Sequence, residues 1–156
     1  MKASGTAAMR QGGAVAHYDK DFFAWTQRTA ALLRRGSFEG IDIEHLAGEV
    51  EDMGKRDLRE LDSRMQVVLL HLLKWRVQPR KRDRSWQRTL LTQRLEMARL
   101  LSDSPSLRSK LSGRLAEDYA AAAKVAATGT GLRKDRFPLR CPFTVEQTLD
   151  ETFFPD

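Results

Sequence analysis

Apolar residues recur at three- and four-residue intervals along most of the chain, a spacing that places them on one face of a helix. From Asp19, a candidate N-cap, the positions Phe22, Trp25, Thr29 and Leu32/Leu33 form such a stripe as far as Arg35. Gly36 then follows Arg34 and Arg35, which puts cations at the negative end of the helix dipole and a glycine where a C-terminal cap needs one. Phe38 to Ile41 is a short connection, and Asp42 is the next candidate N-cap. Ile43, Leu46, Val50, Met53, Leu58, Leu61, Met65, Val68/Leu69 and Leu72 continue the helical pattern to Trp75. The spacing slips around Gly54-Lys55-Arg56-Asp57, which predicts either one long helix with an irregularity or two helices meeting there. Beyond Met65 apolar residues cover most of the circumference, so this half is expected to be the most buried. Gln78-Pro79 ends it, because a proline pushes the residue before it out of the helical region.

Asp83 or Ser85 can cap a further helix carrying Trp86, Leu90/Leu91, Leu95, Met97/Ala98 and Leu100/Leu101. Ser104-Pro105 reads as a restart signal for a helix with Leu107, Leu111, Leu115, Tyr119, Ala122/Ala123 and Ala126, ending before Gly129-Thr130-Gly131. Thr144 and Gln147 have the spacing of a capping box and open a short helix to about Asp150. The apolar residues Phe137, Leu139, Phe143, Leu149, Phe153 and Phe154 are too many for a free tail. No segment alternates apolar and polar residues as a strand does, and no repeat of solenoid length is present. The expectation is an all-α fold: a single-domain bundle of about five helices spanning 17–156, with the C-terminal tail wrapping back on the core. Residues 1–16, where Gly5, Gly12 and Gly13 interrupt any periodicity, read as a flexible leader.

Composition changes this picture little. A chain of 156 residues suffices for one well-buried core, and 41% hydrophobic with 31% charged residues excludes wholesale disorder. The longest apolar run, Val67 to Leu73, is too short to cross a bilayer, so no membrane partner is expected. No apolar signal region follows Lys2 and Arg10, and a single cysteine, Cys141, excludes an internal disulfide; both point to the cytoplasm. The net charge of +6 suits an anionic partner without specifying one.

The sharpest chemical feature is a basic turn. Lys74, Arg76, Arg80, Lys81, Arg82, Arg84 and Arg88 stand against one acid, Asp83, with Trp75 and Trp86 at the flanks. Cations neutralise phosphates and aromatic faces stack on unpaired bases, so Arg80, Lys81, Arg82, Arg84 and Arg88 are a candidate nucleic-acid or anion site. The competing reading pairs this turn with the acidic stretch Asp42–Asp62, which holds eight acids and three bases, and anchors both tryptophans in the core.

His71 lies among leucines, either as a general base or as a neutral ring donating to a carbonyl or carboxylate. His45 and Glu49, four residues apart, can face one metal ion from a single helical face, but two ligands do not make a metal site. Cys141 reads as a small packed thiol, and Gly129-Thr130-Gly131 as a helix terminator, since the lysine and the strand context of a phosphate loop are absent. No catalytic triad or dyad, metal site or cofactor is expected.

Tyr18-Asp19-x-Asp21-Phe22-x-x-Trp25, Leu32-Leu33-Arg34-x-Gly36, Glu51-Asp52-Met53-Gly54-Lys55 and His71-Leu72-Leu73-Lys74-Trp75-x-x-Gln78-Pro79 are linked motifs. With Ser85-Trp86, Gln93-Arg94, Ser104-Pro105-Ser106-Leu107, Thr130-Gly131-Leu132 and Cys141-Pro142-Phe143-Thr144, the chain from about His17 to Pro155 resembles the bacterial domain-of-unknown-function family numbered twenty-nine. The resemblance implies an all-helical fold and carries no activity, substrate or catalytic residue. The chain departs from the family pattern at Gly48, where a carboxylate stands beside the position of Glu49, so no paired-acid role is carried over. Three functional readings remain. The first is a small non-enzymatic interaction module that binds a protein partner or a second copy of itself. The others are nucleic-acid binding by the basic turn, and a metal-assisted hydrolase around His71 or His45/Glu49.

Overall fold

The structure is a computed structural model and describes residues 18–156. The leader expected over 1–16, and His17, lie outside the described residues. The protein is all-α, with no strand among the described residues. Its helices are α1 (Phe22–Arg35), α2 (Ile43–Val77), α3 (Arg84–Asp103), α4 (Arg108–Thr130) and α5 (Val145–Leu149), and residues 18–20 are also helical. The chain divides into two compact units, one running to Lys55 and the other covering Arg56–Asp156.

Capping chemistry explains most of the helix ends. Asp21, not Asp19, caps α1: its carboxylate accepts from the Ala24 amide at 2.9 Å, and the backbone at Asp21 is non-helical, so it separates residues 18–20 from α1. Gly36 ends the helix at φ 69°, donating its amide to the carbonyls of Leu32 and Leu33, a left-handed conformation that a residue with a Cβ rarely adopts. Asp42 accepts from the His45 amide at the start of α2. Asp83 accepts from the Trp86 amide at 2.9 Å to open α3, and Thr144 with Gln147 forms a reciprocal capping box on α5.

Ser104-Pro105 opens a 3-10 turn, Pro105–Leu107, with no side-chain cap, and α4 begins after it. That helix passes through Gly129 and stops at Gly131, whose φ of 67° supplies the left-handed cap. α2 is a single helix of 35 residues that passes through Gly54 without a break. Of the two expectations for this stretch, the single helix is the one observed. One glycine costs only about 1 kcal/mol in a helix, which the turns on either side readily absorb.

The second unit holds a continuous core. Leu61, Met65, Val68, Leu69, Leu72 and Leu73 of α2 pack with Leu90, Met97 and Leu100 of α3 and with Leu111, Tyr119, Ala122 and Ala126 of α4. Phe137 and Phe143 complete it, and Leu149, Phe153 and Phe154 pack against it. Arg94, only 1% exposed, lies on the apolar stripe of α3 and donates to the backbone carbonyls of Gln147, Thr148 and Glu151. The end of α5 is thereby tied to α3 by charge-assisted hydrogen bonds. The Tyr119 hydroxyl donates to the Pro138 carbonyl at 2.6 Å and fixes the chain after α4.

The first unit is built differently. Its buried apolar side chains among the described residues are Trp25 and Ile41, while Phe22, Phe23, Leu33, Phe38, Ile43, Val50 and Met53 are exposed.

Candidate functional site

Four places in the fold carry chemistry: a cleft in the first unit, the basic turn, a buried polar cluster in the second unit, and the exposed apolar side chains of the first unit. The cleft, about 240 Å³, is lined by Tyr18, Glu44, His45, Gly48, Glu49 and Asp52. His45 and Glu49 do share one face of α2, as their spacing requires, but both are already engaged. The His45 ring Nδ1 lies 2.7 Å from Asp42 Oδ2, and the Tyr18 hydroxyl donates to Glu49 Oε1 at 2.5 Å. Burial raises the Asp42 carboxyl, but hydrogen bonds from the His45 ring and amide outweigh it and hold the group below its ordinary value. The bond to Glu49 pushes the Tyr18 phenol up, away from any role as a nucleophile. Tyr18 also packs against the His45 ring at 4.0 Å and edge-on against Phe22 and Trp25. These contacts clasp residue 18 to the first turns of α2. Among the described residues no group of three or more His, Cys, Asp or Glu side chains is placed to hold a metal ion.

His71 is half-buried in the second unit, with Nδ1 2.9 Å from the Val67 carbonyl one turn earlier. Burial pushes its pKa down, so the ring is neutral at pH 7 and occupied by its own helix. The Cys141 thiol donates to the Phe143 carbonyl at 3.3 Å, and burial pushes its pKa up, which removes thiolate character.

At the basic turn, Arg80, Lys81, Arg82, Arg84 and Arg88 are all exposed. Arg82 bends back to donate to the Trp75 carbonyl at 2.9 Å, and its guanidinium lies 5.2 Å from the Trp75 ring centroid. Trp75 is buried against Phe154, with ring centroids 4.8 Å apart, and Lys74 covers Trp86 at 4.4 Å. Neither indole is an open platform for a base. Within the second unit, Glu60 pairs with Arg64 and Asp62 with Arg114, so these two members of the acidic stretch are engaged away from the turn.

The buried polar cluster was not legible as a site in the sequence. Arg114 grips both oxygens of Asp62 at 2.5 Å, while Gln66 donates to Asp118 Oδ1 at 2.9 Å. Asp118 is 1% exposed, its Oδ2 has no protein partner among the described residues, and burial raises its pKa. A signal was present: Asp62/Gln66 and Arg114/Asp118 are polar pairs at i, i+4 that face the interior from two amphipathic helices.

Fold and site together define an all-α helical protein in which His45, Glu49, His71 and Cys141 are held in contacts with neighbouring groups. The family model described as "Domain of unknown function DUF29" matches residues 17–154, and the chain belongs to that family. Neither a curated protein nor a solved structure matched the chain.

Proposed function

We propose that this is a cytoplasmic bacterial interaction module that docks a protein through its first unit and catalyses no reaction. One observation carries the reading. Among the described residues of the second unit, buried apolar side chains far outnumber the exposed Leu91, Leu95, Val125 and Leu139, whereas among those of the first unit the balance is reversed. Large apolar groups left in water at that density mark a surface made to be covered. Residues 18–20 and the aromatic clasp at Tyr18 hold the first turns of α2 while leaving Ile43, Val50 and Met53 outward. The family model fits this reading without adding to it, and no helix among the described residues is long and apolar enough to cross a membrane. A lone cysteine with a raised pKa suits a reducing compartment.

The test is affinity purification of the full chain from its native cell, beside a Phe23→Lys, Val50→Lys variant of unchanged helicity. The reading expects a stoichiometric protein, a further copy of the chain or another polypeptide, that the variant releases. Identical retention by both would defeat it.

A second reading is supported by the exposure of Arg80, Lys81, Arg84 and Arg88, for which no ion pair with a second-unit carboxylate is present among the described residues. Here the turn binds a polyanion such as single-stranded nucleic acid by counterion release. Titration with single-stranded RNA and DNA from about 50 to 200 mM salt is expected to show a log–log slope of about −0.7 per phosphate contacted. Binding that survives conversion of Arg80, Lys81, Arg82, Arg84 and Arg88 to Glu would exclude it. The third reading, a metal-assisted hydrolase at His71 or at His45 and Glu49, finds no support in either place, since no group of three or more His, Cys, Asp or Glu side chains among the described residues is placed to hold a metal ion.

A further inference from the structure

We propose that the partner of the first unit is a second copy of the same chain, paired about a two-fold axis with α1 of one copy along the first turns of α2 of the other. This rests on the docking reading above and names its occupant. Charge on the unit is what singles out a second copy. α1 carries Arg28, Arg34 and Arg35 and no acid, a net +3. Residues 43–55 of α2 carry Glu44, Glu49, Glu51 and Asp52 against Lys55, four minus one, a net −3. The ion pairs of the first unit among the described residues are His45–Asp42, Lys55–Glu51 and Lys55–Asp52, all within α2 or its cap. Arg28, Arg34 and Arg35 take no part in them. α1 thus carries cations that no α2 carboxylate of its own chain pairs among the described residues, and the first turns of α2 carry a net negative charge, so each helix suits the other across an isologous interface.

The apolar area agrees. Phe23 and Phe38 are 73% and 62% exposed, and a Phe offers about 150–250 Å², so the two alone present on the order of 200 Å². Ile43, Val50 and Met53, which are 55%, 60% and 62% exposed, add further apolar area along α2. The geometry also suits a helix as the covering element. Ile43, Ala47, Val50 and Gly54 follow one another at four, three and four residues along α2, and a Cβ placed on Gly54 would meet nothing within 4 Å. Among the described residues nothing packs against Gly54, which leaves room beside Val50 and Met53 for a covering helix.

Sedimentation equilibrium and light scattering on the full purified chain test the proposal. The wild type is expected to be a dimer at about 10–100 μM. Val50→Lys is expected to weaken it by tenfold or more with circular dichroism unchanged. Arg28→Glu with Arg34→Glu is expected to weaken it severalfold at low salt, and adding Glu44→Lys and Glu51→Lys is expected to restore it, a rescue that misfolding cannot mimic. A monomer at 100 μM, a dimer indifferent to Val50→Lys, or charge reversals that fail to compensate would each overturn the proposal. A monomer whose Phe23, Phe38 and Val50 resist hydroxyl-radical labelling would overturn it too, by placing the cover within one chain. If the wild type is monomeric yet holds another polypeptide from the cell that Val50→Lys releases, the docking reading stands and only the choice of partner fails; if it holds none, both fail.

Discussion

Asp118 and Arg94 are the two most deeply buried charges of the second unit among the described residues, and they act in opposite senses. Arg94 is satisfied by three carbonyls at the C-terminal end of the chain. Arg94→Ala leaves those acceptors unpaired and opens a cavity, so an unfolding cost of about 3 kcal/mol or more is expected from denaturant titration. Asp118 is half-satisfied, and burial raises its pKa above the ordinary 3.8. The folded state then binds its proton more tightly than the unfolded state, so this group's contribution falls as pH rises from the unfolded value through the folded one. Asp118→Asn keeps an acceptor for Gln66, and is expected to stabilise the protein by about 1 kcal/mol at pH 7 and to flatten the pH dependence of unfolding above pH 4. His71 contributes with the other sign: its lowered pKa means stability is lost as pH falls below about 6.5. Arg94 could have been suspected from the sequence because it falls four residues after Leu90 on an apolar stripe. Its acceptors could not, since backbone carbonyls leave no mark in the side-chain pattern.

Among the elements, α2 shows best what periodicity can and cannot say. The slip in spacing near Gly54 fits an irregularity within one helix or a break between two. The helix runs through it, and what changes there is the environment: Ile43, Val50 and Met53 before it are exposed, whereas Leu61, Met65 and Val68 after it are buried. A hydrophobic pattern records that a face is to be covered and is silent on which molecule covers it. The caps at Asp83, Thr144 and Gly36 were legible because each is set by local chemistry. Asp21 displaced Asp19 because the non-helical residue is the one whose carboxylate reaches an open amide. The contrast along α2 gives an expected outcome for each half. Leu72→Ala, at a fully buried position, is expected to cost about 3–4 kcal/mol in denaturant unfolding of the full chain. Val50→Ala, at an exposed position, is expected to cost under about 1 kcal/mol at protein concentrations too low for association.

For the whole molecule, charge was visible in the sequence and its use was not. The basic turn and the acidic stretch looked like partners, yet Glu60 and Asp62 are engaged with Arg64 and Arg114, and Arg82 turns back on Trp75. Trp75 and Trp86 anchor the turn because cations and Phe154 cover their faces. Composition reports the sum of charges, and only the fold decides which of them face one another. The division on which the proposed docking rests lies elsewhere, between a second unit with its own core and a first unit whose large apolar side chains are mostly exposed among the described residues. Hydrogen exchange of the full chain at several protein concentrations tests that division most directly. Protection of the α1 amides and of residues 43–54 is expected to rise with concentration between about 1 and 100 μM, while the amides of Leu61 to Leu73 stay equally protected throughout. Protection in the first unit that is independent of concentration would contradict it.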